Sequence, residues 1–576
     1  MTVFGTFLCV LAALGCAPAE TSVQPPRIFH TDLTSGPNSG GENDNGTILT
    51  IYGRRFGADR GTATVTVGGG EVAAYLLWSD TKVAVAIGAA ASTGDVVMNT
   101  GAGSSSGVPF TVRGGNIYCV SVSGSDADAG VFPSSCWGTL VKAKSALEPG
   151  DIAYALDGVT QNTLDSAKAT LHIDRSGTAD LPKALVAYPG AKAAVGIPDW
   201  GGDRNNPLRD GVRVDASHWV LAGFFLQGIQ AVDFTGTADD WRVIGNEMTC
   251  PNGASRMPAG WPSGYEGYAC VASANTTNVA FFGNYVHDTG VNCWTTYPDS
   301  SDSCKLYHAV YFSTDSNHLN VGWNTIVPNG GCRALQFHST SGRNMYDLIA
   351  HDNVIHDSVC DGINFASVDP SRGPVEAYNN LIYNAGKGPD PSGQFGNYAC
   401  IYSADITNSG GAGAGAIDIY NNTVYNCGSR GNRQAAFMKN GANANLLMRL
   451  RNNIAYQAAG GDGRPEGYTG GPAAQFDGSA NLWFGTEAEP PGFAADLNAD
   501  PQFADLANLD FHLLPGCPAI DAGAAIEGLG TDLDGIARPQ GAALDLGAYE
   551  AVPPPEEEPA PAEPARRPAP KRPRSQ

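Results

Sequence analysis

Three short stretches hold the side chains of this sequence best suited to chemistry. His308-Ala-Val-Tyr-Phe-Ser-Thr314, Arg333-Ala-Leu-Gln-Phe-His-Ser339 and Asp361-Gly-Ile-Asn-Phe-Ala-Ser367 align without gaps. Alternate residues of a strand share a face. Val310 and Phe312, Leu335 and Phe337, Ile363 and Phe365 then point into a core, and Tyr311, Gln336 and Asn364 point outward in one column. Tyr402, in Ala399-Cys-Ile-Tyr-Ser-Ala-Asp405, extends that column, and Ser313, His338 and Ala366 form a second one. His308, Arg333 and Asp361 stand at the strand starts, with Lys305 on the turn feeding the first strand. Strands stacked about 4.8 Å apart would bring these groups into one patch roughly 10–15 Å across.

A patch of this composition suits acidic sugars. β-Elimination from a uronic acid needs its carboxylate neutralised, a base for the C5 proton and an acid for the leaving oxygen. Arg333, with Gln336 and Asn364, fits the first task. Lys305, His338 and Tyr311 fit the other two. His308, Gln336, Asp361, Asn364 and Tyr402 are expected to bind the substrate. A glycoside hydrolase would instead need two carboxyl groups about 5–10 Å apart. Asp361 paired with Asp315, Asp357 or Asp369 is the candidate set, and an epimerase would share the lyase chemistry. A non-catalytic, glycan-binding adhesin is the reading from another class. A zinc site from His308, His338 and Asp361 lacks the helical spacing such sites use.

The elements that must position these groups announce themselves by repetition. An asparagine inside a short apolar strand recurs at Asn246, Asn284, Asn324, Asn353, Asn380, Asn422, Asn453 and Asn481, at intervals of 38, 40, 29, 27, 42, 31 and 28 residues. A period near 30 with stretchable insertions predicts a solenoid. The runs are β-branched and aromatic and bounded by Gly, Asn and Asp, so each copy is a β-coil. A buried Asn at one turn of each coil can bond to the coils above and below, as a ladder. His287 and His356 fall in this phrase where Tyr383 and Tyr425 stand in other copies, which makes them structural.

Gly at 73 residues and sparse charge favour an all-β chain rich in turns. A formal net charge of -23 argues against nucleic acid as a partner. Of 13 cysteines, two lie in the leader and no C-x2-C pair occurs, so disulfides in an oxidising compartment are expected. Cys332 and Cys360 each precede an aligned strand and predict a bridge between adjacent coils. Cys119–Cys136, Cys250–Cys270, Cys293–Cys304 and Cys400–Cys427 are the expected local pairs, with Cys517 left over.

In chain order, residues 1–16 read as an export signal, whose apolar run from Phe4 to Leu14 is too short to span a bilayer. Ala13-Leu-Gly-Cys16 resembles the lipobox of bacterial lipoproteins, implying a lipid on Cys16 and a surface or outer-membrane location, or else release to the exterior. Residues 26–113 show alternating strands about every 10 residues, a small β-sandwich. Its phrases, Pro26-Arg-Ile-Phe, Thr47-Ile-Leu-Thr-Ile-Tyr-Gly-Arg-Arg-Phe-Gly57 and Ala63-Thr-Val-Thr-Val-Gly-Gly, resemble the immunoglobulin-like IPT/TIG domain.

From 116 the chain reads Ile117-Tyr-Cys-Val-Ser-Val-Ser-Gly-Ser-Asp-Ala-Asp-Ala-Gly130, a short helix Leu140-Val-Lys-Ala-Lys-Ser-Ala-Leu147, and Pro149-Gly-Asp-Ile-Ala-Tyr-Ala-Leu-Asp-Gly158. The helix would cap the first coil. This opening resembles secreted bacterial right-handed parallel β-helix proteins, in particular polysaccharide lyases of the pectate lyase family 9 and chondroitinase B/alginate lyase types. The resemblance implies a right-handed parallel β-helix over 116–550, an acidic polysaccharide as substrate, a Lys base, for which Lys305 is the position here, and Ca2+ as the one cofactor, with no ligand set assigned. A monomer is expected. The segment 498–549 resembles the C-terminal segment of such proteins and would close the far end, and the Pro-, Glu- and Arg-rich tail 551–576 is expected to be disordered.

Overall fold

The structure is a computed structural model that describes residues 24–197, 209–236, 238–255, 267–296, 304, 306–339, 345–386, 397–404, 413–428, 433–440, 443–457, 467–485 and 490–553. The export signal, Cys16, Lys305 and most of the tail lie outside these residues.

Three long parallel sheets make a β-helix. The first carries twelve strands, from Ile117–Val120 to Phe476–Ser479. The second carries twelve, from Thr160–Gln161 to Leu497–Asn498, and the third ten, from Ala169–Ile173 to Gly467–Gly470. One coil runs through Thr277–Phe282 on the first sheet, Tyr285–Thr289 on the second and His308–Ser313 on the third. Each strand pairs in parallel with its equivalent one coil on, as Val310 does with Leu335 and Leu335 with Ile363. The inward side chains of all three sheets form one core.

The asparagine ladder lies at the turn between the first and second sheets. Asn380 Oδ1 accepts from the backbone and side-chain nitrogens of Asn353, at 3.1 and 2.9 Å, while its Nδ2 donates to Ala350 O and Asn422 Oδ1, both at 2.9 Å. The same bonds link Asn246 through Asn453 to Asn481. The last rung is Asp496, which accepts from Asn481 and from Trp483 Nε1. With no further coil to donate to, the end of the ladder needs only an acceptor.

The N-terminal end and two flanks are covered. The helix Leu140–Ala146, capped by Thr139, buries Leu140 and Ala143 in the core of the first coils, as the sequence predicts. The N-terminal residues form two antiparallel-rich sheets that pack on the outside of the first sheet. Their core is continuous with Tyr154, Val186, Val220, Ile244 and Phe282, and Tyr154 bonds both to the N–H and to the carbonyl of Ile48. The sandwich is therefore seated on the solenoid. The C-terminal segment departs from expectation. It does not close the far end, which belongs to Phe476–Ser479 and Leu497–Asn498. Phe503, Phe511, Leu533, Leu546 and Ala548 instead pack along the outside of the second sheet, against Leu381, Tyr383, Ile454 and Leu482. Outward apolar residues of the later coils, from Val354 to Phe484, need cover, and a strap supplies it. Asn379, Asn421 and Asn452, each beside a ladder asparagine, donate to strap carbonyls at Thr531, Asp545 and Ala524.

All five expected disulfides are present: Cys119–Cys136, Cys250–Cys270, Cys293–Cys304, Cys332–Cys360 and Cys400–Cys427, with Cys517 buried as a free thiol. This is the pattern of a chain that folds in an oxidising compartment. Among the described residues no helix is long and apolar enough to cross a membrane.

Candidate active site

The third sheet holds the candidate groups because its inward face is so regular. Phe312, Phe337 and Phe365 stack through three coils at centroid distances of 5.9 and 5.3 Å. That stack fixes the register, and the register turns every second side chain outward. Tyr311, Gln336, Asn364 and Tyr402 pair in sequence along one column, and Ser313, His338 and Ala366 along the next. Both columns match the sequence alignment.

Two linked pairs dominate the patch. Tyr311 and His338 meet through the hydroxyl and Nδ1 at 3.1 Å, and His308 packs edge-on against the Tyr311 ring. One strand over, Arg333 Nε donates to Asp361 Oδ2 at 2.9 Å. Asp361 also accepts from Asn364 Nδ2 at 3.0 Å and from the backbone N–H of Ala399 at 3.1 Å. The Cys332–Cys360 bridge ties together the residues immediately before Arg333 and Asp361, with Cα atoms 4.6 Å apart. The guanidinium is thus held by an ion pair, and the ion pair by a covalent bond.

Burial and Arg333 together set the protonation states. Burial first, then the nearby guanidinium, lowers the His338 imidazole to about 4, so it is neutral at ordinary pH. The same causes push His308 well below its usual value. Burial raises the Tyr311 phenol, which keeps its proton. Burial also raises the Asp361 carboxyl, and Arg333 opposes that shift.

The expected open patch is narrower than the sequence suggests. His308, Gln336, Asp361, Asn364 and Tyr402 face outward but are buried, while Tyr311, His338 and Arg333 keep access to solvent. Asp361 holds Arg333, and Asn364 holds Asp361; the substrate-binding role expected of the five does not follow from their placement. His308 Nδ1, Gln336 Oε1 and Asn364 Oδ1 are buried without a hydrogen-bond partner among the described residues. Lys305 is outside the described residues. Asp357 pairs with His356, and Asp369 caps a turn at Ser371 and Ala414, so neither joins Asp361 as a second carboxyl. His287 bonds Asp288 and Glu247, and His356 stacks on Tyr383 at 4.6 Å; both serve the scaffold.

The sequence reading missed the ground next to the patch. A cleft of about 460 Å³ runs along the third sheet from the strand Asp210–Val214 to Tyr311 and Ser313. Arg213, Asp233, Ala272 and Tyr311 are successive members of the Tyr311 column. Arg213 pairs with Asp233 at 2.8 Å and lies 3.6 Å from Asp210. Burial, then the Asp233 carboxylate, holds the Asp210 carboxyl well above its usual range. The signal was available in the alternation of Asp210-Gly-Val-Arg-Val214 and Val232-Asp-Phe234, which puts charge at outward positions of coils that lack the Asn phrase.

The IPT/TIG domain family matches residues 34–112. No curated protein sequence matches the chain. Among solved structures, pectate lyase Pel9A is 13% identical, with 75% of this chain and 96% of that chain covered and a TM-score of 0.45. An alginate lyase from Paenibacillus is 14% identical, with 59% and 96% covered and a TM-score of 0.40. A family 28 exopolygalacturonase of Yersinia enterocolitica is 12% identical, with 85% and 91% covered and a TM-score of 0.34. Likeness at this level leaves the chemistry to be read from this chain's own side chains. The chain is a parallel β-helix carrying an IPT/TIG domain on its flank.

Proposed function

We propose that the protein cleaves a uronic-acid polysaccharide by β-elimination at Tyr311, His338 and Arg333. One observation carries the reading: a Tyr–His hydrogen bond and an Arg–Asp ion pair stand on neighbouring strands, and Tyr311 of the first pair lines the end of the long cleft. Arg333 takes the C6 carboxylate and stabilises the charge that develops when C5 loses its proton. His338 is the base. In the tautomer this requires, Nδ1–H donates to the Tyr311 oxygen and Nε2 is free to accept the C5 proton. The C5–H electrons form the C4=C5 double bond, the C4–O4 bond breaks, and Tyr311 gives its proton to the departing O4. The imidazolium then loses its Nε2 proton to solvent and the phenolate regains one. Asp361 is the positioning residue, because it touches Arg333 and not the sugar.

Calcium, which the sequence resemblance implies, finds no fitting set of acidic donors among the described residues. Among the described residues no group of three or more His, Cys, Asp or Glu side chains is arranged to hold a metal ion. Where Asp210, Asp215 and Asp233 gather, the Arg213 guanidinium already sits among them. No step above runs through a cation.

The test is to incubate the purified protein with a panel of uronic-acid polysaccharides and follow the ultraviolet absorbance of the unsaturated product. Absorbance that vanishes in Tyr311→Phe and His338→Ala supports elimination. New reducing ends without absorbance would make the protein a hydrolase, and binding with neither would make it an adhesin.

A further inference from the structure

We propose that the cleft upstream of Tyr311 is an anionic-sugar subsite, in which Lys168 meets the carboxylate and Tyr268 stacks on the ring. The chain is strongly acidic, with a net charge of -23 from 57 acidic and 34 basic residues. Its cleft reverses that balance: Lys168, Arg209 and Arg213 line it against Asp210 and Asp233. These charges are not equivalent. Arg213 is committed to Asp233 and lies close to Asp210. Lys168 is exposed and, although Asp210 and Asp233 feel its charge, it makes no ion pair within 4.0 Å among the described residues, so its ammonium can still approach a ligand. A solvated cation at a cleft edge is a point attractor for a carboxylate.

The walls supply the rest of a sugar site. Tyr268 is 58% exposed and lines the same cleft. An aromatic face left in solvent beside polar groups is the platform on which the apolar face of a pyranose packs. Gln230 donates to Asp233 and both line the cleft, offering amide and carboxylate oxygens to sugar hydroxyls.

The subsite lies on one side of the reacting pair. Beyond Tyr311 the same column passes to Gln336, Asn364 and Tyr402, all buried. Toward the N-terminus it passes to Ala272, a small residue that leaves the cleft floor open, and then to Asp233 and Arg213. Three strand spacings, about 15 Å, separate Arg213 from Tyr311. A glycan lying in the cleft therefore extends from Tyr311 over these coils.

The inference rests on the proposed function only for where the chain is cut, and binding can be measured without turnover. Calorimetric titration of Arg333→Gln/His338→Ala protein, which lacks both the proposed base and the carboxylate contact of the reacting site, compares a uronate trisaccharide with its carboxyl-reduced, neutral counterpart. The uronate is expected to bind about tenfold tighter, the worth of one charge-assisted contact at a partly exposed site. Lys168→Ala should remove that preference and leave the weaker, stacking-dependent binding of the neutral sugar, which Tyr268→Ala should remove in turn. Equal binding of the two sugars, a preference that survives Lys168→Ala, or no binding of either would overturn the subsite. A hydrolase or adhesin with this cleft would give the same titrations, so the elimination reading can fail while the subsite holds.

Discussion

Arg333 Nε lies 2.9 Å from Asp361 Oδ2, although the residues are 28 apart in sequence; the carboxylate is buried and the Arg333 side chain keeps a fifth of its surface in solvent. The pair is an anchor with one free face. Removing the anchor strands a cation and removes the acceptor of the Ala399 N–H and of Asn364 Nδ2. Asp361→Ala is expected to cost about 3–5 kcal/mol of stability. Asp361→Asn keeps the shape and one acceptor, so it should lose less stability but much of the rate. Denaturant unfolding and steady-state kinetics on both variants separate the two effects; full activity in Asp361→Asn would remove Asp361 from the account.

The pH dependence follows from His338. Its folded pKa, about 4, lies below the usual 6.5 of the unfolded chain. The imidazole is ready as a base at any pH above about 4, and Tyr311 stays protonated through neutrality. The expected kcat/KM profile rises through about 4 and is level around neutral pH. A Lys305 base would instead give a profile still climbing at alkaline pH. The sign for stability is the same: as pH falls from 6.5 toward 4 the unfolded chain takes up a proton that folded His338 refuses, so His338 contributes a loss of stability on acidification that His338→Gln should reduce.

Cys332–Cys360 closes a loop of 28 residues and fixes the strand starts bearing Arg333 and Asp361. The double Ser variant is expected to lose about 3.5 kcal/mol, chiefly through a freer unfolded chain. It should also lose activity about tenfold or more as the guanidinium loosens. Melting temperature and kcat measured on one preparation check both; an unchanged kcat would make the bridge purely structural.

Ladder asparagines should differ from their neighbours in tolerance. Asn380 makes four buried hydrogen bonds, two as donor and two as acceptor. Asn380→Ala is expected to cost about 4 kcal/mol by orphaning partners in the coils on both sides. Asn380→Asp should be no better, because a carboxylate cannot donate to Ala350 O. Chemical unfolding of the two variants decides this.

How legible was the molecule? The ladder, the register of the third sheet and the five disulfides could be read because each is set by local pattern: an Asn at a turn, a Phe next to an outward position, a Cys before each of two aligned strands, and for the other bridges cysteines that follow one another in sequence. Two things could not. Gln336 and Asn364 read as outward, which they are, but a strand does not encode what lies over it, so their burial was invisible. The strap from Phe503 to Ala548 pairs with the solenoid mainly through side chains and turns, such as Asn421 Nδ2 to Asp545 O, and so leaves no strand pattern to recognise. Arg213 and Asp233 were missed because their coils lack the Asn phrase that aligned the others, although their strands alternate just as clearly.

On the proposed chemistry, Tyr311, His338 and Arg333 break a glycosidic C–O bond without adding water. The most direct measurement is mass spectrometry of the products released from a uronic-acid polysaccharide in heavy-oxygen water. Elimination predicts unsaturated products, each lighter by one water than its hydrolytic counterpart, with no heavy oxygen incorporated at the cleaved bond. Saturated products carrying heavy oxygen at the new reducing end would contradict it.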